Sequence, residues 1–155
     1  MTIATAKGKV PWAAAVFYAN DGFTLYFLSD PESRHSKDIM ENPVVGITVY
    51  EDYHDWRKIK GIQMEGKVEL VSIEDEMAKA VAIYVAKYPF TAPYLKLMSS
   101  PFPSIAQHLD KLLSKLPFTP GLPKTFKVKF YKLMATKVRF IDNEKGFAHH
   151  EEFTL

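Results

Sequence analysis

The chain contains no cysteine. That excludes disulfides, thiolate nucleophiles, iron–sulfur clusters and cysteine-held zinc. No apolar run approaches the roughly 20 residues that a helix needs to cross a bilayer, so no membrane contact is expected. The first residues, Met1 to Lys7, lack a basic segment followed by an apolar core. They do not read as a signal peptide, and a cytoplasmic location is the default expectation. Charge of one sign is also lacking. Lys and Arg number 20 against 18 Asp and Glu, and a net charge of +2 is too small to argue for nucleic acid. Repeats, low-complexity tracts and linkers are absent, so 155 residues read as a single domain, 1–155.

Large side chains are abundant. Hydrophobic residues make up 47 % of the chain and aromatics 14 %. The first figure supports a real core. The second suits a small barrel, a stacking site or a subunit interface.

Local patterns set the expected elements. Thr2–Ala6 is a short β-prone stretch followed by a turn at Lys7-Gly8-Lys9. Val10–Ala19 is apolar on both faces, as a buried strand is. Asn20-Asp21-Gly22 is a hairpin turn, because these residues tolerate positive φ, and Phe23–Leu28 returns as a strand. Asp30 and Pro31 predict the cap and first position of a helix that stops at Asn42-Pro43. Val44–Glu51 and Lys58–Val71 are strands, the second bent or bulged at Gly61 and Gly66. Ser72 is expected to cap a helix over Glu74–Lys87, with Met77, Ala80, Val81 and Tyr84 on its apolar face. Tyr88–Pro103 reads as Pro-rich and irregular. A capping box at Ser104–Gln107 opens a helix burying Ile105, Leu109, Leu112 and Leu116. Phe118–Pro123 is a turn-rich connection. Phe126–Tyr131 and Lys137–Ile141 read as separate strand pieces, and Phe147–Thr154 as a last strand. Tight turns join most neighbouring strands, which predicts a mainly antiparallel sheet closed into a barrel with flanking helices.

Several stretches carry chemistry. Ser29–Lys37 places Ser29, Ser33 and Arg34 at a helix start, where free N–H groups and a partial positive charge favour phosphate. Asp30 and Glu32 favour the plainer reading of a capped, solvated helix end. Ala13, Ala14 and Ala15 are small enough to let either a flat ring or a neighbouring strand approach the backbone. Trp12 suits stacking on a ring, a dimer contact or simple half-burial. His54-Asp55 resembles a catalytic pair, but adjacent side chains diverge, so a loop is expected. His149 and His150 point to opposite faces of a strand and do not share a metal. No metal is expected and no catalytic residue stands out. Lys124, Lys127, Lys129, Lys132, Lys137 and Arg139 form a basic stripe. It reads as a solvated face, or as a contribution to a cofactor phosphate across a dimer.

Taken in order, Gly8–Trp12 leading into Val16-Phe17-Tyr18, Leu25–Asp30, Ser33-Arg34-His35, Glu41–Val44 and Gln63–Gly66 resemble the pyridoxamine 5'-phosphate oxidase-like family of FMN-binding split barrels. The ending Phe140–Phe147 is similar to one uncharacterised bacterial branch. The resemblance implies a mainly β fold with flanking helices, an antiparallel split β-barrel of FMN-binding type. It implies a homodimer with FMN at the interface, and an oxidoreductase whose small-molecule substrate is unknown. It assigns Ala14, Val16 and Phe17 to the ring, Leu28 and Ser29 to the strand end, and Arg34 to the phosphate. His35 stands where the family often has lysine, and Lys37 is a substitute cation. Gln63 lies near a flavin-contacting glutamine. Many relatives carry a helix before the first strand, and this chain begins at the strand. The second strand lacks the oxidase's basic residues and Phe147–Leu155 lacks its Trp and Arg, so pyridoxamine phosphate is not the expected substrate. The alternative is a non-catalytic flavin or haem carrier. Haem-binding relatives make haem the second cofactor, with His35, His54 and His149 as possible ligands.

Overall fold

The computed structural model describes residues 1–98, 105–107, 109 and 127–155. Eight strands form one antiparallel sheet: β1 (Thr2–Lys7), β2 (Val10–Ala15), β3 (Tyr18–Asp21), β4 (Thr24–Ser29), β5 (Val44–Tyr50), β6 (Lys60–Leu70), β7 (Lys129–Asp142) and β8 (His150–Thr154). The ladder runs β2-β1-β5-β6-β7-β4-β3, and β8 pairs with β7. Among the described residues the helices include α1 (Arg34–Glu41), α2 (Glu74–Lys87) and α3 (Ala92–Met98), and residues 105–107 and 109 are also helical. This is the mainly β, split-barrel architecture expected from the sequence. The sheet is not closed. Its two end strands, β2 and β3, follow one another in the chain, and no ladder joins them among the described residues.

That seam corrects the reading of Val10–Ala19 as one buried strand. The stretch breaks at Val16-Phe17, and β2 is an exposed edge, with Val10 57 % and Trp12 42 % accessible. Apolar residues on both faces mark burial only when something covers both faces. Among the described residues β2 pairs with β1 alone.

Two apolar clusters lie on either side of the sheet. Ile3, Leu25, Phe27, Ile39, Met64, Tyr131 and Leu133 fill the barrel side, where α1 packs. Tyr26 and Phe130 point the other way, against Ala80, Val81 and Tyr84 of α2, Leu95 of α3, and Ile105 and Leu109. The strand β4 is thus buried on both faces. The predicted face of α2 holds, with Met77 packed at its margin. Its cap does not: Ile73 occupies the N-cap position and makes no side-chain bond there. In the stretch Tyr88–Pro103 the described residues, 88–98, are more regular than the prolines imply, with a 3-10 turn at Pro89–Thr91 followed by α3. Ser104, Leu112, Leu116, Phe118–Pro123, Lys124 and Phe126 lie outside the described residues.

The strand pieces expected around Phe126–Tyr131 and Lys137–Ile141 are one strand, β7, with a bulge in place of a break. Glu65 pairs with Lys137 and Gly66 with Ala135, so Thr136 is the extra residue. On its other edge β7 pairs with β4 through Met134 and with β8 from Lys137 onward. The bulge therefore sits where β7 exchanges one neighbour for another. A Cβ on Gly66 would stand 2.6 Å from the Met134 carbonyl oxygen, which explains the glycine. No bulge occurs at Gly61. No helix among the described residues is long and apolar enough to cross a membrane.

Candidate functional site

Ser29 ends β4, and a tight turn then leads into α1. The predicted cap, Asp30, instead organises that turn. Its Oδ1 accepts from the Glu32 N–H at 2.8 Å and its carbonyl from the Ser33 N–H at 3.0 Å. Ser33 is the N-cap and accepts from the Ser36 N–H at 3.3 Å. Four polar side chains meet here. The Ser33 hydroxyl donates to Ser36 Oγ at 2.9 Å, and Ser36 donates to Ser29 Oγ at 3.1 Å. His35 Nε2 lies 2.6 Å from Ser29 Oγ and 3.3 Å from Ser33 Oγ. Donation along the series leaves the Ser29 proton for Nε2 of a neutral imidazole. Burial pushes the His35 pKa below the ordinary 6.5, with the Asp38 charge opposing, and so favours the neutral form.

This cluster opens into a cleft of about 580 Å³ at the barrel seam. Val16, Phe17, Leu28, Ser29 and His35, all expected as site residues, line it together. Its far wall consists of Tyr84, Phe90, Thr91, Tyr94 and Val128, none of which was anticipated. A signal for part of that wall was present. Tyr84 and Tyr88, and Phe90 and Tyr94, are each four residues apart. Tyr84 donates to the Phe17 carbonyl at 3.5 Å and Tyr88 to the Tyr18 carbonyl at 2.9 Å, tying α2 to the seam. Burial, with the charge of Tyr88 adding, pushes the Tyr84 pKa up to about 12, so its hydroxyl keeps its proton.

The other expected residues lie elsewhere. Arg34 and Lys37 line a second cleft with Lys7, Val10, Glu32 and Asp38. The Arg34 guanidinium sits 4.3 Å from the Trp12 ring centroid, and Lys37 Nζ is 2.9 Å from Glu32. Gln63 lines a third cleft of about 530 Å³ with Lys137, Arg139 and Glu152. Ala14 packs against the barrel core, while Ala15 lines the seam cleft. Asp55 bonds Arg57, not His54, through Oδ1 to Nε at 2.9 Å. Among the described residues no three metal-binding side chains gather. In the basic stripe, Lys132 pairs with Glu69 at 2.9 Å, and Lys137 and Arg139 each pair with Glu152 at 2.8 Å.

Residues 1–112 match the family model described as "Pyridoxamine 5'-phosphate oxidase". A UPF0306 protein of Photorhabdus laumondii is 33 % identical over 92 residues, covering 57 % of this chain and 63 % of its own length. A haem-binding protein from Mycobacterium smegmatis superposes with a TM-score of 0.68 at 17 % identity, over 99 % of this chain and 51 % of that one. HutZ, the haem storage protein of Vibrio cholerae, superposes with a TM-score of 0.53 at 15 % identity, over 99 % and 83 %. The chain thus spans under two thirds of the first curated relative's length and about half of the Mycobacterium protein's. The two structural likenesses are likenesses of fold.

Proposed function

The chain belongs to the pyridoxamine 5'-phosphate oxidase family, and from that membership we propose that it is an FMN-binding, oxidoreductase-like protein. The observation that carries the reading is the seam cleft. One end has the Ser29 hydroxyl and the His35 imidazole beside the start of α1, and the walls are aromatic and aliphatic. A planar ring with a polar tail asks for that combination. Val16, Phe17 and Leu28 would face the ring system. Ser29, Ser33 and the open first turn of α1 would bond the tail. The bound flavin would supply the electron transfer; the cleft would hold it and exclude water.

A second copy completes the site in this reading. Gln63 shares no cleft with Ser29, so one ligand reaches both only if another protomer brings its Gln63 cleft to the seam. The exposed apolar edge β2 supports a homodimer. Haem is the second reading, favoured by one detail. His35 is the imidazole lining the cleft, and burial favours its neutral, iron-ligating form.

The test is the visible absorption spectrum of the purified protein before and after incubation with excess FMN and removal of unbound ligand. A retained flavin spectrum is expected. A Soret band lost in His35→Ala would move the assignment to haem. A colourless protein that rejects FMN would overturn the cofactor reading.

A further inference from the structure

The proposed FMN tail needs a cation, and those expected at α1 are engaged elsewhere. Arg34 is stacked on Trp12 with its Nε 4.0 Å from Asp38, and Lys37 is paired with Glu32. Neither lines the seam cleft. The ladder sets another cation beside Ser29, which does line the cleft. Ser29 of β4 stands directly opposite Lys129 of β7. Directly paired residues project to the same face of a sheet, with Cβ atoms about 5 Å apart.

Lys129 is exposed and has no ion-pair partner among the described residues. The other three cations of β7, Lys132, Lys137 and Arg139, are all paired with carboxylates. The Asp30 carboxylate also borders the cleft, but its Oδ1 accepts the Glu32 N–H.

We propose that Lys129 is the phosphate-binding cation of the seam cleft, reaching from β7 to a phosphate monoester held at Ser29. This rests on the FMN reading and adds a residue to it. A flexible four-carbon stem carrying a point charge suits a terminal phosphate, and it compensates for the missing basic residues of the second strand.

The test compares FMN with riboflavin, which share the ring and differ in the phosphate. Each is titrated by flavin-fluorescence quenching into wild-type protein, Lys129→Gln and Lys129→Arg. Wild type should bind FMN more tightly than riboflavin. Lys129→Gln should weaken FMN about tenfold and leave riboflavin unchanged, with Lys129→Arg restoring most of the loss. An unchanged ratio of FMN to riboflavin affinity in Lys129→Gln overturns the assignment while sparing the flavin reading. A cation from a second copy's Gln63 cleft would give that result. Wild-type protein that binds neither flavin overturns both.

Discussion

At the scale of single residues, the cluster around His35 makes two measurable claims. The first concerns pH. The folded-state pKa of His35 lies below its ordinary 6.5, so between those values the unfolded chain binds more protons than the folded one. The stability that comes from keeping His35 neutral is present above 6.5. It is lost as pH falls through the window beneath it. The melting temperature should therefore drop between pH 7.5 and pH 5.5, and His35→Gln should drop less over the same range. Equal slopes in the two proteins would remove His35 as the cause. The second concerns charge. His35→Lys places an ammonium beside Ser29 and should tighten FMN binding without changing riboflavin binding. Ser33→Ala, which removes the N-cap acceptor, should cost about 1 kcal/mol in chemical denaturation.

At the scale of elements, Gly66 makes the sharpest claim. Alanine there would drive a methyl into the Met134 carbonyl oxygen and against Leu133 and Ala135. The bulge would have to rearrange. Gly66→Ala should destabilise by about 2 kcal/mol or more in a denaturant titration. Gly61→Ala should cost less, since its closest contact would be 3.3 Å. The sequence was informative where a residue has one local job. The turns at Gly8 and Gly22, the helix stop at Asn42-Pro43 and the bend at Gly66 were all legible. Competing local signals misled it. Asp30, Pro31 and Ser33 all suit a helix start, and only the fold decides that Asp30 shapes the turn and Ser33 caps. Lys132 to Thr136 looked like a break because the bulge disturbs strict alternation. Five of the nine expected site residues share one cleft. The aromatic wall of Tyr84, Phe90 and Tyr94 escaped, because it shares the cleft with residues far away in sequence such as Val16, and periodicity reports only the near neighbours of a residue.

At the scale of the molecule, the open seam and the bare edge strand are linked. The ladder ends at β2 and β3, and the chain between those ends passes through the cleft at Val16 and Phe17. Phe17 is 66 % accessible, an exposure that the proposed second copy would relieve. Trp12→Asp on β2 should shift the protein toward monomer in sedimentation velocity at micromolar concentration. Because the proposed site draws on two copies, that variant should lose FMN affinity in parallel. Dimerisation unaffected by Trp12→Asp would place the interface elsewhere.

The central claim is that the seam cleft holds the flavin ring. At 17.7 kDa the protein is small enough for methyl-resolved NMR. The measurement is a two-dimensional carbon–proton methyl spectrum recorded during FMN titration. The expected result is saturable shifts centred on the methyls of Val16, Leu28 and Val128. Shifts confined to Ala4, Ala6 and Val44 in the Gln63 cleft, with the seam methyls unmoved, would contradict it.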